Sequence, residues 1–163
     1  MEMPIMQPVP IHTKDVKWWR RLWRWVTCVR RWVVAQDYTV TLWGITYFIP
    51  KGFVFDGASV PKLFWSVLSP VGLLLIQGII HDYAYKFGYV WIVDMIQGAI
   101  VDKRKFGVGK PRNFWDRLFK EVGREVNGVN IVNWIAWAAV RVGGWLAWNG
   151  HRKRDPPTGS ELE

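Results

Sequence analysis

Residues 71–105 read VGLLLIQGIIHDYAYKFGYVWIVDMIQGAIVDKRK, and the fold turns on how this stretch is divided. From Val71 the chain is apolar for ten residues, broken only by Gly72, Gln77 and Gly78, and then runs into His81-Asp82-Tyr83-Ala84-Tyr85. An apolar run of this length predicts one buried helix over residues 71–87, with Gly88 as its stop. Residues 89–105 are then expected to form a second helix, antiparallel to the first. His81 lies seven residues before Gly88 and Asp94 six residues after it. At ~1.5 Å rise per residue, both would stand roughly 9–10 Å from the turn, level with each other across the pair. An imidazole and a carboxylate so placed could hydrogen-bond, which fixes the ring tautomer and leaves the other nitrogen to act as a base.

Asp82 is rotated by about 100° around the same helix, so it serves a different purpose. A carboxylate there can bind a cation beside the dyad. Calcium takes several hard oxygen ligands. The preceding loop Phe55-Asp56-Gly57-Ala58-Ser59 offers the Asp56 carboxylate and, at Gly57, a backbone free to bring its oxygen close. Tyr85, one turn after Asp82, is placed to brace the site with its hydroxyl. The same residues also fit a plainer reading, in which His81 is a hydrogen-bonded core residue and Asp56-Gly57 is a turn.

Upstream, residues 1–13 read as an extended, proline-rich arm. Residues 14–31, KDVKWWRRLWRWVTCVRR, hold Trp18, Trp19, Trp23 and Trp25 among seven Lys or Arg. As a helix this segment would be basic and amphipathic, suited to a membrane interface or to packing on a partner. Residues 32–50 carry Val33, Val34, Tyr38, Val40, Ile45, Tyr47 and Ile49, with turns expected at Gln36-Asp37 and Trp43-Gly44. That pattern predicts a small antiparallel meander. Pro61 is expected to open a short helix through Val67.

Downstream, residues 114–126 are amphipathic, with Trp115, Leu118, Phe119 and Val122 on the buried side. Residues 129–148 are long enough to span a bilayer. Asn130, Asn133, Arg141 and Gly143-Gly144 favour a core or interface helix instead.

Thirteen Trp and a formal net charge of +9 predict attraction to an anionic surface, phospholipid before nucleic acid, or burial against other proteins. Cys28 is the single cysteine, so no internal disulfide forms, which fits synthesis in a reducing cytoplasm. The N-terminal residues carry three prolines and no secretory apolar run.

The ordered set Phe55-Asp56-Gly57-Ala58-Ser59-Val60-Pro61, then His81-Asp82-x-x-Tyr85, then Asp94 resembles domain-of-unknown-function family 1353, found largely in bacteriophages and prophages. The resemblance covers roughly residues 45 to 106. More distantly, the same order is similar to the prokaryotic phospholipases A2. That resemblance implies His81 as general base, Asp94 as its orienting partner, and Ca²⁺ held by Asp82, Asp56 and the Gly57 carbonyl. Two departures stand out. Ala58 and Ile80 occupy places where the phospholipases carry cysteines, and Trp91 stands where the phage family has an Arg ahead of its second Asp.

The expected fold is therefore α+β and mainly helical: an N-terminal β-meander, a phospholipase A2-like antiparallel helix pair, and further C-terminal helices. The expected organisation is an arm and basic Trp/Arg segment at 1–31, a phospholipase A2-like domain at 32–128, an apolar helix at 129–150 and a polar tail at 151–163. The expected function is calcium-dependent hydrolysis of phospholipid esters, by a chain made in the bacterial cytoplasm and acting from a virion or at the host inner membrane. The alternative is a non-enzymatic virion or host-interaction protein that keeps the same fold as a scaffold.

Overall fold

A computed structural model describes residues 2–9, 17–18, 31–55 and 72–154. The segment at 14–31, the loop at 56–61 and the short helix expected after Pro61 fall almost wholly outside these residues. Strand β1 (Met6–Pro8), β2 (Trp32–Val34) and β5 (Val54–Phe55) form a three-stranded antiparallel sheet in the order β1-β2-β5. A second antiparallel sheet runs β3-β4-β6-β7, from β3 (Tyr38–Leu42), β4 (Ile45–Ile49), β6 (Val90–Ile96) and β7 (Ala99–Phe106). The helices are α1 (Leu75–Phe87), α2 (Arg112–Asn127) and α3 (Asn130–Arg154).

Strands form where the β-branched and aromatic residues predict them, but the expected meander is split: β2 joins the first sheet, and β3 and β4 form a hairpin in the second. Tyr38, Val40 and Leu42 alternate into the core, and β3 turns into β4 through Trp43 (φ 52) and Gly44 (φ 75). Two successive positive φ values give a turn whose twist matches the strands it joins. Helix α1 starts at Leu75, later than the expected residue 71, and stops as expected at Gly88, whose left-handed backbone (φ 79) sends its N–H to the Ala84 carbonyl at 2.7 Å.

Residues 89–105 overturn the expected helix pair, and with it the mainly helical fold with strands confined to the N-terminus. They form a β-hairpin, so strand is spread through both halves of the chain. The physical reason lies in two features. Val90, Ile92, Val93, Ile96, Ile100 and Val101 are β-branched and lose rotamer freedom in a helix. Gln97 (φ 51) and Gly98 (φ 83) form a two-residue turn between the paired Ile96 and Ala99.

β6 pairs with β4 only from Trp91 to Val93. Beyond Val93, β6 and β7 continue as a two-stranded ribbon with a bulge at Asp94/Met95. The core gathers Val34, Leu42, Ile49, Phe53, Ile76 and Ile79 with the inner faces of the helices. α1 packs against β4, β5 and β6 on one side and against α2 and α3 on the other. Among the described residues no helix is long and apolar enough to cross a membrane.

Candidate functional site

His81 and Tyr85 are four residues apart on α1 and share a face, the one turned towards α2 and α3. Their ring centroids lie 3.9 Å apart, and Phe119 of α2 closes the other side of the imidazole edge-on at 5.3 Å. The carboxylate that meets them is Asp116 of α2. Its Oδ1 is 3.3 Å from His81 Nε2 and accepts a short hydrogen bond from the Tyr85 hydroxyl. Its Oδ2 accepts from Arg141 Nη1 of α3 at 3.3 Å. Arg112, one turn before Asp116 on α2, reaches the same oxygen at 4.0 Å and donates to the Arg141 carbonyl at 3.0 Å. One fully buried carboxylate thus ties three helices together.

The electrostatics follow from that geometry. Burial by itself would raise the Asp116 carboxyl, but the hydrogen bonds from His81 and Tyr85, with the nearby cations, hold it below the usual carboxylate range. Burial by itself would lower His81, yet Asp116 and Asp82 outweigh it and hold the imidazole above its usual value. The Tyr85 phenol is raised, first by burial and then by the carboxylate it serves. With Nε2 donating to Asp116, the neutral ring keeps its lone pair on Nδ1. Asp82 Oδ1 stands 3.8 Å from that nitrogen, too far for a direct hydrogen bond.

The residues singled out in the sequence divide accordingly. His81, Asp82 and Tyr85 are brought together. Asp94 is not: it sits on β6, about half exposed, and its carboxylate accepts from Arg104 of the neighbouring strand at 3.0 Å. Its placement follows directly from the hairpin that replaces the expected second helix. Asp56 and Gly57 lie outside the described residues. Asp116 is not among the residues the sequence singles out, because in residues 114–126 the apolar stripe is the dominant pattern. The local signal is the spacing Arg112-x-x-x-Asp116, which sets a guanidinium one helical turn from the carboxylate.

Among the described residues no group of three or more His, Cys, Asp or Glu could hold a metal ion. Asp82 is the single described residue of the expected calcium set, and one carboxylate falls well short of the six to eight oxygens that Ca²⁺ takes. The described residues alone do not make a calcium site.

The geometry defines an α+β protein with a His–Asp–Tyr cluster buried among three helices. The profile of the family described as "Protein of unknown function (DUF1353)" matches residues 32–140, and the chain belongs to that family. No curated protein and no solved structure matches it.

Proposed function

We propose that this protein is a phage-borne ester hydrolase of the phospholipase A2 type, acting on phospholipid at the host membrane. His81 is its general base and Asp116, in place of Asp94, is its orienting carboxylate. The observation that carries the reading is the Asp116 carboxylate receiving His81 Nε2 and the Tyr85 hydroxyl on one oxygen. That arrangement fixes the tautomer and presents Nδ1 to a water molecule beside Asp82. The water gives its proton to Nδ1 as its oxygen attacks the ester carbonyl, and the imidazolium that forms is stabilised by Asp116. The proton then passes to the leaving alkoxide. Calcium is the proposed cofactor, with Asp82 as its described ligand and Asp56 and Gly57 as the others; when bound it polarises the ester carbonyl. The steps assigned to the chain's own residues do not pass through it.

One observation favours the scaffold reading: His81 is only 6% exposed. In that reading the cluster is a structural clasp and the protein binds virion or host components without turnover. Incubating the purified protein with phospholipid vesicles, with calcium or with chelator, separates the two. Released fatty acid that falls at least ~100-fold in His81→Ala supports hydrolysis. No release, or release that the variant leaves unchanged, overturns it.

A further inference from the structure

Helix α3 has two unlike faces. Asn133 and Ala136 are fully buried against the body, and Arg141 reaches the Asp116 carboxylate. On the outer side Ile131 (76% exposed), Trp134 (60%), Val142 (86%) and Trp145 (58%) face solvent. At 100° per residue these four fall within an arc of about 80°, along ~21 Å of helix. They form a continuous apolar stripe with an indole near each end.

The charges around the stripe are mainly positive. From Asn130 to Arg154 the helix sequence contains no Asp or Glu, and it carries Arg141, Arg152, Lys153 and Arg154. At the N-terminal end the stripe borders an open groove of about 580 Å³, lined by Ile131 and Trp134 together with Lys120 and Arg124 of α2. Glu121 is the one acid beside those two cations. The helix is too polar to cross a bilayer, and its stripe is too exposed to belong to the core.

We propose that α3 lies in the plane of an anionic phospholipid bilayer, with Ile131, Trp134, Val142 and Trp145 entering the headgroup–acyl boundary and Lys120 and Arg124 of α2 beside lipid phosphates. An apolar stripe supplies burial, indoles favour the interfacial zone, and a surround in which cations outnumber acids favours a negatively charged leaflet. A partner protein would need an apolar groove ringed by acids, whereas an anionic bilayer offers both features at once. The proposal stands apart from ester hydrolysis, because docking needs no turnover.

The test is flotation of the full-length protein with phosphatidylcholine vesicles, with and without phosphatidylglycerol, in the presence of chelator. Binding is expected to require phosphatidylglycerol and to weaken at least ~10-fold in a Trp134→Ser/Trp145→Ser double variant with unchanged melting temperature. Val142→Asp, at the most exposed of the four positions, gives the same loss by an independent substitution. Three results overturn the proposal: no binding to either vesicle, equal binding by the variants, or a lipid-free dimer that the variants abolish. The last would assign the stripe to a second copy of the chain. Each leaves the hydrolysis reading to its own fatty-acid assay.

Discussion

Gly144 of α3 lies directly against the hydroxyl of Tyr85: a Cβ at this position would stand 2.6 Å from the phenol oxygen. The phenol cannot easily retreat, because it is buried and bonded to Asp116. Gly144→Ala is therefore expected to destabilise by up to ~2 kcal/mol, an overpacking cost of ~1–3 kcal/mol set against the ~1 kcal/mol that alanine gains in a helix. Gly143 has nothing within 4 Å of the same atom. Gly143→Ala should stabilise by up to about 1 kcal/mol. Urea denaturation of the two neighbouring variants reads the opposite signs.

Asp116 and Asp94 should differ as sharply. Removing Asp116 strands a buried imidazole, a buried phenol and two guanidinium groups, so Asp116→Ala is expected to cost about 3–5 kcal/mol. Asp94 and Arg104 are 54% and 59% exposed, and Asp94→Ala should cost at most ~1 kcal/mol. Equal losses in a thermal melt would mean that the buried carboxylate is not the clasp of the three helices.

The same cluster sets opposite pH limits on stability. His81 is raised on folding, so its contribution is complete below its unfolded value of about 6.5 and is lost as pH rises through the higher folded value. Asp116 is lowered on folding, so its contribution is complete above about 4 and is lost as pH falls through the lower folded value. Urea midpoints in calcium-free buffer should therefore be highest between these limits and fall on either side. Asp116→Asn should flatten both arms. Because the base must be neutral, ester hydrolysis should rise over the same alkaline range in which stability declines.

A second close approach concerns the amides beneath α2. Gln77 Nε2 donates to Asn133 Oδ1 at 3.2 Å, and Asn133 Nδ2 donates to Asn127 Oδ1 at 2.8 Å. A Cβ on Gly123 would come within 2.3 Å of Gln77 Oε1 and 2.4 Å of Asn133 Oδ1. Gly123→Ala should thus cost ~2 kcal/mol or more, since moving either amide strands buried polar atoms. A melting temperature at or above that of the parent would show that the amides re-form their bonds around the methyl group.

The sequence made the local signals legible and left the long-range partner hidden. Trp43-Gly44 announces a turn and Gly88 a helix stop, because positive φ is a property of a few residues and is written locally. His81 and Tyr85 share a face by helix periodicity alone. Residues 89–105 failed for a definite reason: apolar positions 89, 92, 93, 96 and 100 satisfy a helical repeat as well as a strand. The Gln97-Gly98 turn and the density of β-branched residues were the features that decided between them. Once Asp94 was assigned to a helix it took the role of the nearest downstream acid. Asp116 sits next to Trp115 in what reads as an apolar stripe, and only packing reveals that a carboxylate there has an imidazole, a phenol and a guanidinium to meet.

Beyond Val93 the hairpin leaves the four-stranded sheet as a two-stranded ribbon and returns to it at Lys103, with its two ends side by side. Part of the 35-residue separation between the imidazole and its acid is thus an excursion that closes on itself. Rungs beyond Val93 could be added or trimmed during descent without shifting either helix. Distance along the chain from the HDxxY element to its acidic partner is then set partly by the length of the ribbon, and not by the chemical core alone.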